Sequence, residues 1–400
     1  MTKNEVLALS RSYVCPDRVR FLTGAGIDLV MGRREGYRIW DLDGRELIDL
    51  HLNGGVFNLG HRNPDVITAL VEALDTLDIG NHHFPSAERA VLAERLVGLT
   101  PGAQYAVFAS GGGEAIDLAI KSARRATGVR RVVSLIDAYH GHTGLALAAG
   151  DETAATSFLA TDPDFVRVPF NDMDALAAAL VEPTAAVIME TVPATAGFPV
   201  PLHLPRVREL CDEHGALLIA DEVQTGLGRS GNLCAVEHFG VVPDILVTGK
   251  GLSGGIYPIA ATLLSARAGA WLDSDGWGHV STFGGAELGC RVASKVVDLT
   301  LAAIPELPIS RWARGLAQVQ ARHPSWLVEV RQTGLIIGLR FAHEYGGMLM
   351  TKLLFEEGVW AMFAGFDRRV LQFKPGLLMH DEIDDVLAAL DRACAAAEAL

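Results

Sequence analysis

The sequence predicts an α/β protein with a mainly parallel sheet in a large domain and a smaller α+β domain. From residue 64 onward, short apolar runs alternate with helix-like stretches, the pattern of parallel strands joined by crossover helices. Two of the apolar runs, 216–220 and 244–248, are followed by Asp221 and Lys250 among glycines, as expected of buried strands that deliver a side chain at their carboxyl ends. After Gly285 the alternation stops, which marks a second unit.

Each element is predicted from its own pattern, in chain order. The first residues show no clear period and are expected to be irregular; a hairpin follows, because strand-like residues 37–40 and 46–49 flank an Asp-Leu-Asp-Gly turn. Pro64 begins a helix that extends to about residue 77 and repeats apolar residues at helical spacing. Further strands are expected at 105–108, 131–136, 185–189, 216–220 and 244–248. Further helices are expected at 114–125, 172–181 and 203–214.

The C-terminal part has a different texture, with a helical run at 288–303, strand-like residues 328–331 and 336–341, and a last helix from Asp381. We therefore expect three parts: residues 1–45 joining the small domain, residues 46–296 forming the large domain, and residues 297–400 forming the small α+β domain. Active sites in sheets of the predicted kind form beyond the carboxyl ends of the strands.

Composition narrows the class of protein. Of the 400 residues, 50% are apolar and 20% charged, as expected of a globular enzyme. The net charge of −14 and pI near 5.4 argue against nucleic acid and anionic membranes as partners, because both call for basic patches. No signal peptide is visible, and no stretch approaches the roughly 20 apolar residues of a membrane span. The five scattered cysteines lack zinc-ligand spacing, so we expect reduced thiols in the cytoplasm.

Lys250 is the most informative residue. Of the six lysines, only Lys250 follows a strand and stands between two glycines, where burial could make its amine nucleophilic. A lysine can form an imine with an aldehyde, and a carboxylate such as Asp221 can keep a heterocyclic nitrogen protonated; pyridoxal phosphate enzymes need both groups. A loop lysine that points at solvent is the alternative for Lys250 alone, and a helix cap is the alternative for Asp221 alone.

A glycine-rich turn at 108–115 joins a predicted strand to a predicted helix. Its consecutive glycines allow close approach of a phosphate, and the helix N-terminus supplies free amides and a favourable dipole. An ordinary turn remains the alternative. His140 and His142 have metal-like spacing but no third ligand nearby, so we expect no metal site.

The segments Asp-Glu-Val-Gln-Thr-Gly at 221–226 and Gly-Lys-Gly at 249–251, in this order and spacing, resemble the class III pyridoxal phosphate aminotransferases. This group includes ornithine, acetylornithine and gamma-aminobutyrate aminotransferases, and the resemblance extends from residue 40 to the last helix. It implies the fold type I (aspartate aminotransferase-like) architecture with a sheet of the seven-stranded type. It also implies pyridoxal 5'-phosphate as cofactor and a homodimer with shared active sites.

The resemblance also assigns roles to individual residues. Lys250 would carry the cofactor as a Schiff base and move protons, and Asp221 would pair with the ring nitrogen. The other implied cofactor contacts are Gly112 and Gly113 at the phosphate, Tyr139 and Val223 on the two ring faces, Gln224 at the ring hydroxyl, and Thr282 at the phosphate of the partner subunit.

Three substrate-handling positions depart from the ornithine-type members. In those proteins a glutamate and an arginine form a switch that admits both an amine and an α-keto acid; Thr195 and Gln372 stand at the matching positions, and His142 replaces a further substrate-binding arginine. A bidentate arginine on a carboxylate is worth about 1.5–3 kcal/mol and is not replaced by glutamine. Lys374 is a nearby candidate for the missing charge. We therefore expect poor use of ornithine or gamma-aminobutyrate, and a better fit for an amino sugar, amino alcohol or specialised metabolite.

The function predicted from the sequence is amino transfer between a small-molecule donor, an amine or amino acid, and a carbonyl acceptor. The alternative is an isomerase (a racemase, epimerase or aminomutase) that uses the same site, because an isomerase need not alternate between two substrates. Fold alone does not choose between these chemistries.

Overall fold

A central seven-stranded sheet organises the molecule, whose computed structural model describes residues 1–193, 197 and 203–400. In chain order the strands are β1 (Met31–Glu35), β2 (Arg38–Asp41), β3 (Glu46–Asp49), β4 (Tyr105–Ala109), β5 (Val132–Leu135), β6 (Phe165–Val168), β7 (Ala186–Glu190), β8 (Leu217–Asp221), β9 (Ile245–Thr248), β10 (Ala260–Leu264), β11 (Leu327–Thr333), β12 (Ile336–Phe341), β13 (Val359–Trp360), β14 (Met362–Phe363) and β15 (Val370–Phe373). The strand order of the central sheet is β4-β10-β9-β8-β7-β5-β6.

Helices cover the sheet and build the rest of the molecule. They are α1 (Lys3–Tyr13), α2 (Pro16–Gly24), α3 (Leu52–Gly55), α4 (Pro64–Leu74), α5 (Ala87–Leu99), α6 (Gly112–Thr127), α7 (Gly144–Ala149), α8 (Glu152–Ser157), α9 (Met173–Leu180), α10 (Leu204–His214), α11 (Ala266–Gly269), α12 (Glu287–Ala303), α13 (Ile309–Arg322), α14 (Gly346–Glu356) and α15 (Ile383–Glu398). Short 3-10 segments lie at Ala235–Phe239, Lys250–Ser253, Ala270–Asp273 and Ile304–Glu306.

The central sheet confirms the predicted fold class. Strand β10 runs antiparallel to its neighbours β4 and β9, and the remaining pairs, β5 with β6 and β7, β7 with β8, and β8 with β9, are parallel. All residues of β5, β7, β8, β9 and β10 are buried. Because helices bury both faces, these strands read as continuous apolar runs without alternation.

Two smaller sheets accompany the central one. One has the order β1-β2-β3-β13 and the other β11-β12-β15-β14. Strand β13 pairs in parallel with β3, so the N-terminal hairpin and residues from the C-terminal part share one sheet. The domain boundaries themselves, 1–45, 46–296 and 297–400, stay a prediction.

The expectation of an irregular N-terminus was wrong. Helices α1 and α2 lie at residues 3–13 and 16–24. Neither contains a buried residue, so the sequence shows no apolar stripe that would predict them. The signal that could have found α1 is a capping box, in which Thr2 Oγ1 accepts from the Glu5 amide and Glu5 Oε2 accepts from the Thr2 amide.

The described residues contain no helix long and apolar enough to cross a membrane. The five cysteines are free thiols; Cys211, Cys234, Cys290 and Cys394 are buried.

Helix α14 packs so closely on the turn before β15 that only glycine fits at its second residue. A Cβ on Gly347 would lie 2.6 Å from the carbonyl carbon of Val370 and 2.9 Å from the carbonyl oxygen of Arg368. The Gly347 amide donates to that same oxygen of Arg368 at 2.9 Å. Backbone atoms on both sides leave no flexible group to move aside.

We therefore expect Gly347→Ala to lower the free energy of unfolding by about 1–3 kcal/mol through overpacking. Chemical denaturation measures this. The matched control is Gly98→Ala in α5, where the glycine is exposed and a Cβ would meet nothing within 4 Å. That change should leave stability equal or raise it by up to about 1 kcal/mol. Equal stability of the two variants would contradict the packing argument.

Candidate functional site

The candidate site lies at the carboxyl edge of the central sheet. Strands β7 and β8 end in Glu190 and Asp221, and β9 ends two residues before Lys250. Glu190 and Asp221 are register partners on adjacent parallel strands, so their side chains stand side by side. The sheet therefore brings two carboxylates and one amine together at the edge where the sequence predicted a site.

Asp221 is held by a buried hydrogen-bond network. Its Oδ2 lies 2.8 Å from Nδ1 of His140, and its Oδ1 accepts from the Val223 amide at 3.0 Å. His140 is 3% exposed and Asp221 4% exposed. The imidazole fixes the carboxylate's orientation, which leaves the carboxylate available to one further group from the cavity.

Glu190 sits beside that pair. Its Oε2 accepts from the Tyr139 amide at 3.1 Å. Burial raises the pKa of Glu190 to about 7, and the Asp221 charge adds to this, whereas His140 and the amide of Tyr139 oppose it. The carboxyl of Glu190 is therefore only partly ionised at neutral pH, which limits repulsion between two adjacent buried acids.

The backbone at Lys250 is strained. Its φ is +42°, in the left-handed region that disfavours residues with a side chain at a cost of about 1–3 kcal/mol. Residues Lys250–Ser253 form a 3-10 turn, in which Ser253 Oγ donates to the Lys250 carbonyl at 2.7 Å. This turn aims the side chain back over the sheet edge instead of letting it continue along the strand.

The amine of Lys250 is prepared for reaction by its surroundings. Burial lowers the pKa of Lys250 below its ordinary value; Asp221 and Glu190 oppose the shift and Arg229 adds to it. A lower pKa gives a larger share of neutral, nucleophilic amine near pH 7. Gly54 lies against it, since a Cβ there would be 3.5 Å from Cε and 3.8 Å from Nζ of Lys250.

The glycine-rich turn also lines the site. Helix α6 begins at Gly112, and its N-cap Gly111 is extended without a side-chain cap. The backbone of Gly141 rests on this turn, since a Cβ at Gly141 would lie 2.9 Å from the Gly113 Cα. An uncapped helix N-terminus of this kind can accept an anionic group.

A cavity of about 150 Å³ collects most of the predicted site residues. It is lined by Gly112, Gly113, Tyr139, His140, Gly141, Glu190, Asp221, Val223, Gln224 and Lys250. The structure therefore brings together seven of the eight residues named from the sequence. The eighth, Thr282, is exposed and lies outside this lining.

The two substrate-handling positions that the structure describes differ in their burial. Gln372 is 6% exposed on β15, whereas His142 is exposed and packs edge-on against the Tyr139 ring at 5.4 Å between centroids. Thr195 lies outside the described residues.

Two residues of the cavity lining, His140 and Glu190, were not predicted as site residues from the sequence. The burial of Lys374 was not predicted either. The register of two apolar runs could have located Glu190 beside Asp221; no local pattern marks the others.

Comparisons with known proteins agree with this geometry. The aminotransferase class-III family model matches residues 23–394. An uncharacterized aminotransferase of Archaeoglobus fulgidus is 48% identical over 389 residues, covering 96% of this chain and 92% of that protein. The acetylornithine aminotransferase of Pseudomonas putida is 36% identical over 381 residues, covering 91% of this chain and 92% of that protein.

A solved structure of similar shape is the ornithine aminotransferase of Toxoplasma gondii, described with partial occupancy of pyridoxal phosphate at its active site. It superposes with a TM-score of 0.86 at 28% identity, over 100% of this chain and 96% of that one. Since the family match spans nearly the whole chain and the relatives are aminotransferases, the chain belongs to the class III aminotransferases and is an enzyme of that kind.

Proposed function

We propose that this aminotransferase uses pyridoxal 5'-phosphate, held covalently by Lys250, to move an amino group from an amine or amino acid to a carbonyl acceptor. The observation that carries the proposal is the meeting of Lys250, Asp221 and the α6 N-terminus around one cavity. Family membership and the cofactor in the Toxoplasma gondii structure support it.

The residues present fit this cofactor chemically. Gly112 and Gly113 at the uncapped N-terminus of α6 suit the phosphate. Asp221, fixed by His140, suits a protonated ring nitrogen, and Tyr139 and Val223 line the cavity where they can pack on a ring. Gln224 lines the same cavity and suits a ring hydroxyl.

When bound, pyridoxal phosphate supplies an aldehyde that condenses with amines and a ring that withdraws electrons from the attached carbon. Asp221 opposes the positive charge of the ring nitrogen and so keeps that nitrogen protonated. His140 orients Asp221 through the contact between its Nδ1 and Oδ2 of the carboxylate. Asp221 and Glu190 are buried beside Lys250, and burial strengthens the charge interactions among these groups.

Lys250 serves as base and then as acid. With its lowered pKa, the free amine of Lys250 would take a proton from the substrate carbon as a base, hold it on Nζ and give it back as an acid. Because its pKa is about 7, Glu190 is only partly ionised at neutral pH. It therefore adds less than one full negative charge beside Asp221. The isomerase alternative lacks support, since the family model and the relatives are aminotransferases.

We also propose a homodimer in which Thr282 serves the partner's site. Support comes from an exposed groove of about 500 Å³ beside Thr282, lined in part by His82, Phe84 and Trp277. Phe84 is 67% exposed, Trp277 65% and the neighbouring Phe283 59%. Exposed apolar side chains in one groove favour burial against a second copy. A cytoplasmic location is part of the proposal and is supported by the free thiols.

Lys250→Ala should bind pyridoxal phosphate without covalent attachment and lose turnover, because its amine is both the attachment point and the proton carrier. Borohydride reduction followed by peptide mass spectrometry should find the cofactor on Lys250 in the unaltered protein and on no residue of the variant. Lys352→Ala is the control, since Lys352 forms only a surface ion pair with Glu356. Turnover at the unaltered rate in Lys250→Ala would refute the assignment.

Asp221→Asn should lower kcat by about 10²–10³, because a neutral amide no longer holds the ring nitrogen protonated. Cofactor retention during dialysis should fall as well. Asp164→Asn is the matched control, because Asp164 pairs only with the exposed Arg130 at the distant edge strand. Near-unaltered kinetics in Asp221→Asn would show that this carboxylate only caps the turn after β8.

Trp277→Glu should convert the protein to a monomer with weak cofactor retention, because it places a charge in the groove that a second copy would cover. Sedimentation at micromolar concentration measures the mass, and absorption after dialysis measures the retained cofactor. Phe158→Glu, at a side chain 72% exposed outside the groove, should leave both unchanged. A fully active monomer of the unaltered protein would contradict the shared site.

A further inference from the structure

Strand β15 has one entirely apolar face and one face on which Gln372 follows the apolar Val370. Leu371 and Phe373 are fully buried in a hydrophobic core, whereas Gln372 points to the opposite side. Lys374 follows directly and continues the face of Gln372, because side chains alternate along an extended chain. Both polar side chains are buried, with Gln372 6% and Lys374 5% exposed.

Within the described part of the chain, the side chains of Gln372 and Lys374 make no hydrogen bond and no ion pair. Lys374 is anchored only through its backbone, whose amide donates to the Leu50 carbonyl at 2.9 Å. A buried ammonium without a partner is costly, so such groups are normally paired or serve a ligand. Burial lowers the pKa of Lys374 well below its ordinary value, and the charges of Lys250 and Arg229 add to the effect.

The chain between Leu50 and Gly55 connects this lysine to the candidate site. Leu50 bonds the backbone of Lys374, and Gly54, four residues later, lies against the Lys250 amine. Asn53 and Gly54 have φ of +50° and +70°, so the segment folds back on itself and the connection is short. Lys374 therefore borders the region around Lys250.

This region is rich in positive charge. Burial and the charges of Lys374, Lys250 and Arg229 lower the pKa of His51 to about 3, while Asp49 opposes them. Arg229 is already used, since its Nη2 donates to Asn58 Oδ1 at 2.6 Å and its Nη1 to the Pro375 carbonyl at 3.5 Å. Arg229 is thus held by neighbouring groups of the fold and Lys250 is assigned to the cofactor, whereas the Lys374 side chain has neither role.

We propose that Lys374 binds a carboxylate of the substrate, with the Gln372 amide donating beside it. The inference rests on the proposed function, because it assigns a substrate contact in the region that borders Lys250. One ammonium and one amide suit a planar carboxylate of single charge, whereas a phosphate carries about −1.5 to −2 and needs more donors. Lys374 would thus supply, two residues further along the chain, the positive charge that is missing because Gln372 stands in place of the arginine.

Lys374 is expected to lower the stability of the anion-free protein and to raise its affinity for an anion. An anion beside Lys374 replaces lost hydration with an opposite charge, so binding repays the burial of the ammonium. Without an anion, the uncharged Lys374→Met should unfold at the same temperature as the unaltered protein or at a higher one, because it replaces a buried, unpaired amine by an apolar side chain of similar shape.

The test uses protein loaded with pyridoxal phosphate and titrated calorimetrically with glutarate, an unreactive dicarboxylate. Lys374→Met should weaken glutarate binding by about 10- to 100-fold, as expected for a charged hydrogen bond. Lys374→Arg should retain most of the affinity, and the surface variant Lys352→Met should bind as the unaltered protein does. Glutaramide, the neutral analogue, should bind equally to all four proteins. Glutarate should also raise the melting temperature of the unaltered protein and not that of Lys374→Met.

Kinetics provide a second readout. Although 4-aminobutyrate is expected to be a poor donor, Lys374→Met should lower its kcat/KM by a larger factor than that of butylamine, which has no carboxylate. Equal glutarate affinity in Lys374→Met and the unaltered protein would overturn the proposal. Inorganic phosphate that binds more tightly than glutarate, in a manner dependent on Lys374, would overturn the assignment to a carboxylate. Absence of cofactor on Lys250 would instead refute the proposed function, so the two failures are distinct.

Discussion

The parallel register of β7, β8 and β9 is the constraint on which the site depends. Parallel strands end at the same edge, so three segments far apart in sequence deliver Glu190, Asp221 and Lys250 to one place. The strained turn at Lys250 then bends the chain back over that edge. A slip of one residue in any of these pairs would turn the side chains to the opposite face of the sheet.

The electrostatics of the site follow from its burial. Enclosed carboxylates and amines lose hydration, and each recovers part of that loss from a neighbour. Asp221 is paired with His140, whereas Glu190 responds with a pKa near 7 and Lys250 with a lowered one. The proposed amino transfer would use these adjustments, because a lowered pKa at Lys250 favours the neutral amine that takes up a proton.

Among the residues that the structure describes, buried polar groups are of two kinds: those with partners inside the fold and those without. Glu222, next to Asp221 in the chain, is also fully buried, yet it is consumed by the Thr225 hydroxyl and the amides of Ala235 and Val236. It holds the loop after β8 in place and faces away from the cavity lining. Lys374 is the opposite case, a buried charge that the fold leaves without a partner among the described residues.

The sequence by itself predicted the sheet, the phosphate-suited turn and the meeting of Asp221 and Lys250 at one edge of the sheet. Each of these depends on a local pattern: apolar runs, consecutive glycines and a strand end. The sequence did not determine α1, whose residues are not buried, or the direction of Lys374, which follows a strand like many exposed lysines. Only the tertiary structure decided these, together with the His140–Asp221 bond. The environments of Lys374 and of the His140–Asp221 bond come from segments 80 residues or more away, and no local period records such a contact.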